Sequence, residues 1–402
     1  LTLDTHRRAR LIQIEELRRR RNELAGQARG NKPTDEQVTE GKRLKDEVAK
    51  LEDDLRTIES KFDEIIRQVP NVPTDDVPVG ASEAENQVVK TWGEPPQFDF
   101  KPKSDAELGE ATGLIDKERA TKVAGPRFAY LTGGLVELEF ALIQFTLHAL
   151  SDEKLLEKLI IENDLNLVAK PFVPVLPPAM ANTATYEATG RLNGEEQTYK
   201  LADDDLWLNA SAEHTLAPMY LDEILPEEQL PIRYVGFTTA FRREAGSYGK
   251  DTEGIFRMHQ FDKLEMEVFS TPETGVDEHK LLIAVQEYLV QQLNLPYQLI
   301  LKCTADIGKP NARGVDINTW MPAQGQYRET HTADFVSDYQ ARRMKTRLRT
   351  GEGETRLVHT NDATAFAMGR TIKAIMENYQ THDGHIIVPE ALKPFMNGKT
   401  EI

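Results

Sequence analysis

Residues 239–265 read TAFRREAGSYGKDTEGIFRMHQFDKLE. The run before them, 232–239 (IRYVGFTT), has the β-branched and aromatic content of a strand. It leads into Phe241, Arg242, Arg243 and Glu244, then a turn-rich loop, and a second strand is predicted from near Phe256. Arginine is suited to bidentate phosphate binding. Arg242 and Arg257 flank the loop, so both can face one nucleotide. On the return strand Phe261, Lys263 and Glu265 share a face, because side chains alternate along a strand. The chain has no Gly-x-x-x-x-Gly-Lys-Ser/Thr loop, so any nucleotide is held by another device.

Outward from this hairpin, further strands are predicted at 261–270 and 298–304, and helices at 134–150 and 277–293. Helices and strands do not alternate in a βαβ rhythm. The expectation is an α+β body with an antiparallel sheet flanked by helices.

Toward the N-terminus the periodicity changes. Leu44, Val48, Leu51, Leu55, Ile58, Phe62 and Ile65 step alternately by four and three, a heptad seam. Leu3, Ile14, Leu17 and Leu24 form a weaker seam, separated from the first by a turn-rich stretch at 26–34. The reading is an antiparallel two-helix coiled-coil arm. Its second helix is about 50 Å long at 1.5 Å per residue. A globular neighbour could not cover such a seam, so the arm is expected to project. Pro70 and Pro73 stop it. The domain expectation is an arm and linker at 1–80 and a catalytic body at 81–402.

The 402 residues carry a formal charge of -17, which by itself disfavours nucleic acid. The first 29 residues, however, hold eight arginines and four acids. A nucleic-acid partner is expected there, although a solvated helix face explains the charge equally well. No apolar run is long enough for a membrane helix, and no signal-peptide core is present. Cys303 is the one cysteine, so a disulfide or multi-cysteine zinc site within the chain is excluded, and a buried packing role is expected for it. A cytoplasmic setting fits. The chain begins with Leu rather than Met, so the natural start is expected upstream.

The 239–265 segment resembles motif 2 of the class II aminoacyl-tRNA synthetases, and it follows the seryl-tRNA synthetase version through FR-x-EAGS and HQF-x-K-x-E. Pro177-Pro178 resembles the motif 1 proline. Ala188-Thr189-Gly190-Arg191-Leu192 resembles a family Gly-Thr-Gly-Gln-Leu, and Ser211-Ala212-Glu213 a Thr-Ala-Glu. Tyr327-Arg328-Glu329 and Gln340-Ala341-Arg342-Arg343 match further family segments. Thr364 to Gln380 resembles motif 3, expected as a helix carrying Arg370. The likeness covers nearly the whole chain, except some twenty residues that usually precede the first arm helix.

The resemblance implies activation of L-serine by ATP, then transfer to the 3′ end of serine tRNA, with selenocysteine tRNA a further candidate. Arg242 would hold the α-phosphate of ATP and also line the serine site. Glu244 would meet the adenine side, Phe261 would stack under the ring, Arg257 would face the nucleotide and Arg370 would pair with the γ-phosphate. Glu329 and Thr332 would bind Mg²⁺. Serine would lie among Ser211, Glu213, Glu265 and Thr364. The resemblance also implies tRNA bound by the helical arm and a homodimer. Without it, these residues read equally as surface ion pairs, a core phenylalanine and a snorkelling arginine. His259 is read as structural, because the chemistry needs no acid or base there.

Three departures stand out. Asp362 occupies the usual asparagine of motif 3, and an aspartate cannot donate, so an altered substrate contact is expected. His331 and Thr332 stand where Ser-Ser is usual, and Ala333-Asp334-Phe335 replaces Ser-Asn-Cys. Ser211 replaces threonine. Two other readings remain open: a catalytically altered paralogue that binds RNA or protein, and a relative that loads carrier proteins. The arm and the single cysteine disfavour the second.

Overall fold

The computed structural model describes residues 2–27, 34–192, 197–244 and 253–402. The turn expected at 26–34 and the loop expected after Glu244 fall largely outside them. The chain divides into two compact units, Leu1–Pro70 and Asn71–Ile402.

The first unit is two helices, α1 (Thr2–Gln27) and α2 (Asp35–Ile66). Thr34 begins α2 with a capping box: its side chain accepts from Gln37 N while Gln37 returns the bond. Ile14, Val48 and Leu55 are buried between the helices, with Leu11, Leu17 and Leu51 packed around them. The cross-contacts run in opposite directions along the two chains. Arg7 lies over the Phe62 ring, Arg18 pairs with Glu52 at 2.7 Å, and Leu24 meets Gly41. The pair is therefore antiparallel, as expected for two helices joined by a short stretch of chain. Ile65 is exposed, so the seam ends near Phe62.

The second unit is built on an eight-stranded sheet. In chain order the strands are β1 (Gln87–Trp92), β2 (Val173–Val175), β3 (Ile232–Phe241), β4 (Gln260–Ser270), β5 (Tyr297–Leu301), β6 (Arg313–Met321), β7 (Gln326–Ser337) and β8 (His359–Ala367). In space they run β1-β5-β6-β7-β8-β4-β3-β2. Every pair is antiparallel except the edge pair β2–β3. Helices α3 (Asp105–Thr112), α4 (Gly134–Leu150), α5 (Gly275–Gln292) and α6 (Met368–Asn378) complete the frame.

Strand β4 shows the plan. Leu264, Met266 and Val268 join the main apolar core with Leu281, Leu282, Val285 and Leu289 of α5. The alternate residues Lys263, Glu265 and Glu267 are charged, yet buried too. Both faces of this strand are covered: one by helices, the other by the layer that makes the site.

Two sequence expectations need correction. The return strand starts at Gln260, not near Phe256. Asp105 holds the preceding segment by accepting from Ile255 N at 2.7 Å, so its backbone bonds to α3 rather than to a neighbouring strand. The motif 3 segment is not a helix throughout. Thr364 to Ala367 belong to β8, paired with β4, and α6 begins at Met368.

The sheet is tied to its surroundings by buried ion pairs. Arg233 of β3 donates two bonds to Glu278 of α5, at 2.9 and 2.7 Å, and two more to the carbonyls of Val168 and Lys170. Both side chains are fully buried. Removing one partner of such a pair costs about 3–5 kcal/mol, because the other charge is stranded. Arg233→Ala is expected to lose stability in that range, read from the urea unfolding midpoint. A change below about 1 kcal/mol would contradict the pairing.

Candidate active site

One cleft opens on the charged face of the sheet. It is lined by Arg242, Glu244, Phe256, Arg257, Phe261, Lys263, Glu329, Thr332, Thr364 and Arg370, among others. The expected nucleotide and metal residues are thus brought together from β3, β4, β7, β8 and α6.

Arg242 follows directly on β3. Its Nε donates to Ala210 O at 3.1 Å, and its guanidinium lies 5.3 Å from the centre of the Phe261 ring. His259 fixes the Arg242 backbone. Its carbonyl accepts from Arg242 N, and its Nδ1 donates to Arg242 O, both at 2.9 Å. The structural reading of His259 holds. Arg257 donates to Glu244 at 2.8 Å across the loop base. Arg370, on the first turn of α6, pairs with Glu329 at 2.8 Å and packs 5.0 Å from the Phe256 ring centre. Arg328 lies over the same ring at 4.5 Å.

Glu329 and Thr332 are three residues apart, a spacing that puts side chains on opposite faces of a regular strand. The β6–β7 register shifts here: Ile317 pairs with His331 and Asn318 with Glu329, so Thr330 is an inserted residue. This bulge brings Glu329 and Thr332 to the same cleft. A second shift, between Thr364 and Phe366, does the same for Thr364 and Ala367. Gln286 of α5 donates to the carbonyls of Thr332 and Thr364, each at 2.8 Å, satisfying backbone groups beside both irregularities.

Surrounding protein disfavours charge on Glu329, but Arg370, Lys302 and Arg242 outweigh this and hold its carboxyl down at about 2. It is therefore anionic at neutral pH. The Thr332 hydroxyl accepts from Lys302 at 3.0 Å. A half-exposed carboxylate beside a hydroxyl is a donor set that fits Mg²⁺, which takes one or two carboxylates and completes its shell with phosphate and water oxygens.

Behind Lys263 the cleft ends in a buried polar nest. Lys263 Nζ lies 2.5 Å from Glu265, 2.8 Å from Ser211 Oγ and 3.9 Å from Glu213. Ser211 donates to Glu265 at 3.4 Å. Gly236 sits opposite Glu265 in β3, where a Cβ would meet Leu216 at 2.7 Å, so its small size admits the segment carrying Ser211 and Glu213. Thr364 pairs with Glu265 across β8 and β4. The expected serine residues are all here, with Ser211, Glu213 and Glu265 one layer deeper than the nucleotide residues.

Several participants were not assigned from sequence. Lys263 had been placed on the right face without a role. His214 is buried and accepts at Nδ1 from Ala210 N and Tyr186 OH, which turns Nε2 toward Glu213 Oε1 at 3.5 Å. Burial pushes its pKa down to about 3, so it is neutral. Arg191 and Glu267 also lie in this layer. Asp362, expected to alter a substrate contact, is bonded to Arg191 at 2.5 Å. The arginine in place of the family's glutamine was the available signal for Arg191, but its partner lies 171 residues away.

Burial pushes the Glu265 carboxyl up to about 8, with Lys263 opposing and Glu213 and Asp362 adding to the rise. Unfolded, the group titrates near 4.5. Between these values the folded chain keeps a proton that the unfolded chain releases. The stabilisation is complete below the unfolded value and is lost as pH rises through the folded one. The ligand-free melting temperature is expected to fall from about pH 5 to about pH 8, and to fall less in Glu265→Gln. Identical slopes in parent and variant would refute the assignment.

Comparison with known proteins places this geometry. The profile of the seryl-tRNA synthetase N-terminal domain matches residues 1–73, and that of the tRNA synthetase class II core domain (G, H, P, S and T) matches 198–379. The chain is 39% identical to a protein named serine–tRNA ligase from Thermodesulfovibrio yellowstonii, covering 98% of this chain and 92% of the relative. It is also 39% identical to one of the same name from Nitrosopumilus maritimus, covering 99% and 92%. The seryl-tRNA synthetase of Pyrococcus horikoshii, solved with ATP, superposes with a TM-score of 0.85 at 36% identity, over 100% of this chain and 92% of that one. The prolyl-tRNA synthetase of Giardia lamblia, at 13% identity and a TM-score of 0.57 over 73% of this chain and 57% of its own, shares the fold.

Proposed function

The chain belongs to the seryl-tRNA synthetase family, and from that membership we propose how its own residues carry the reaction. It is a serine–tRNA ligase of class II, joining L-serine to tRNA at the expense of ATP. The observation that carries the residue assignment is the shared cleft: Arg242, Arg370 and Glu329 line a space that ends on the Lys263, Ser211 and Glu265 nest.

In the first step the serine carboxylate attacks the α-phosphorus of ATP. An O–P bond forms, the bond to the β-phosphate bridging oxygen breaks, and pyrophosphate leaves. The nucleophile is already an anion, so no general base is needed. The barrier lies in bringing anions together, and preorganised positive charge lowers it. Arg242 binds the α-phosphate and reaches the serine carboxylate. Phe261 stacks under the adenine, Glu244 accepts from its amino edge, and Arg257 faces the phosphates. Arg370 leaves part of its pairing with Glu329 to hold the γ-phosphate. Glu329 and Thr332 would hold Mg²⁺, which supplies charge neutralisation along the phosphates. In the second step a ribose hydroxyl at the tRNA 3′ end attacks the activated carbonyl: the ester C–O bond forms, the bond from that carbon to the phosphate oxygen breaks, AMP leaves, and the hydroxyl proton passes to the departing phosphate or to solvent.

Serine is selected by Glu265, Thr364 and Ser211 through its hydroxyl, and by Glu213 through its ammonium. A pocket built to bond a hydroxyl rejects an analogue lacking it by about 10⁴–10⁵, because buried polar groups are left unpaired. Alanine is excluded this way. Glu265→Ala is expected to lower serine-dependent pyrophosphate exchange about hundredfold or more while ATP binding changes less than about threefold. Unchanged exchange would overturn the role.

The arm, extended by its linker to residue 80, binds serine tRNA by arginine contacts to phosphate and sugar, and the catalytic body spans 81–402. The exposed arginines of α1 support this, among them Arg8, Arg19 and Arg20. The protein works as a cytoplasmic homodimer, with tRNA laid across both copies. Among the described residues no helix is long and apolar enough to cross a membrane. Arg19→Ala with Arg20→Ala is expected to weaken tRNA binding about tenfold and flatten its salt dependence, with pyrophosphate exchange intact. Unaltered tRNA affinity in a filter-binding titration would remove the arm from recognition.

A further inference from the structure

Just past the end of β5, Lys302 carries its side chain across β6 to β7. Its Nζ donates to Thr332 Oγ1 at 3.0 Å and lies 3.1 Å from Asp316 Oδ1 and 3.2 Å from Asp334 Oδ1. The Lys302, Asp316 and Asp334 side chains are 9%, 13% and 6% exposed. Both carboxylate oxygens are buried without a hydrogen bond, so what they face is the ammonium charge itself. Gly314 makes this crossing possible. Its carbonyl accepts from Lys302 N at 3.0 Å, and it stands opposite Asp334 in the β6–β7 pair. A Cβ there would collide with Lys302 Cε and stand 2.9 Å from Asp334 Oδ1.

Three oxygens converging on one positive centre, two of them from acids, make a site for a hard cation. Here the cation belongs to the chain. Burial disfavours the charge on Lys302, but Asp316, Asp334 and Glu329 outweigh this and hold it protonated above the usual lysine range. Burial also pushes Asp316 up to about 7, and Lys302 is the first group to oppose that rise. Asp334 belongs to the segment that replaces the family's Ser-Asn-Cys, none of which brings a carboxylate. The position of the site says what it serves. Thr332 and Glu329 are the Mg²⁺ ligands of the proposed function, and the inference rests on that reading. Lys302 takes one lone pair of the Thr332 hydroxyl and leaves the other to the cleft that Thr332 lines. It is also one of the cations that keep Glu329 ionised. Such outer partners of a metal ligand fix its orientation and tune the site.

We propose that Lys302 is a tethered cation. It fills a cation site formed by Asp316, Thr332 and Asp334 directly behind the Mg²⁺ ligands, and supplies there a fixed positive charge that would otherwise be drawn from solution as a further metal ion. It is a positioning residue, acting through Thr332 and Glu329 and not on substrate. A chain without this lysine binds one more divalent ion at the same place.

The test counts ions on the full chain, on Lys302→Ala and on Lys302→Met at pH 8. Mn²⁺ is the probe, because the free ion is read directly by electron paramagnetic resonance. Lys302→Ala is expected to bind one more Mn²⁺ per chain than the parent. Lys302→Met, whose side chain fills the site without charge, binds no more than the parent. Mn²⁺ raises the melting temperature of Lys302→Ala further than it raises that of the parent, by mass action on the new site. In serine-dependent pyrophosphate exchange, Lys302→Ala is about tenfold slow at low Mg²⁺ and returns to within about threefold of the parent at high Mg²⁺, whereas Lys302→Met stays about tenfold slow throughout. A parent ion count in Lys302→Ala, equal counts in the two variants, or parent-like exchange in both overturns the proposal. Should Lys302→Ala fold only when Mn²⁺ is present, that dependence is the expected linkage. Should it fold in neither condition, Lys302→Met decides: exchange equal to the parent at every Mg²⁺ concentration overturns the proposal, and a loss that added Mg²⁺ does not repair supports it. A parent chain without serine-dependent exchange would take the proposed function down as well, whereas normal parent exchange with any of the other adverse results removes the role of Lys302 alone.

Discussion

Charge taken out of water must be paired or neutralised by a proton, and the buried polar face of the sheet is arranged around that constraint. Lys263, Glu265 and Glu267 stand on β4, Asp362 and Thr364 on β8, and Asp334 on β7. The facing layer supplies Ser211, Glu213 and Arg191. Lys263 is central, since it reaches Ser211, Glu265 and Glu213 together. An apolar interior of similar volume would be at least as stable. What the charged nest provides is a preorganised polar cavity, already desolvated, in which a small zwitterion can replace contacts that water would otherwise make.

The residues proposed for the nucleotide obey a related constraint, that long flexible cations must be held before substrate arrives. Arg242 is fixed through its backbone by His259, through Nε by Ala210, and against Phe261. Arg370 is held by Glu329 and Phe256. Further back, Lys373 of α6 pairs with Asp105 at 2.5 Å, and Asp105 accepts from Ile255 N. One buried carboxylate thus links the helix carrying Arg370 to the segment carrying Phe256 and Arg257. The chain orders these arginines by packing them on aromatic rings and tying them to backbone carbonyls and acids.

The arm depends on a different physics. Its two helices bury a narrow seam, Ile14 against Val48 and Leu55, and surround it with ion pairs that are mostly exposed and worth little each. The surface is left for solvent or a polyanion. Its stability follows from periodicity, which is local, and little in it depends on distant residues.

That contrast separates what could be read from the chain from what could not. The heptads named both arm helices, and the turn-rich stretch between them named their antiparallel sense. The alternation of 232–239 and 261–270 named the hairpin β3–β4, and the motif likeness pointed to residues that the fold brings together around one cleft and the nest behind it. Local spacing carries no sign of a register shift or of a strand's neighbour. Glu329 and Thr332 share a cleft only because Thr330 is inserted, and Thr364 to Ala367 extend a strand where a helix was expected because β4 lies beside them. The union of Arg191 with Asp362 was beyond reach for the same reason. Side-chain period and residue type are properties of neighbours along the chain, so sequence alone determined the elements and the chemical kind of the site. Bulges, cross-strand register and the partner of a buried charge are properties of neighbours in space, so only the tertiary structure decided which groups face each other in the pocket.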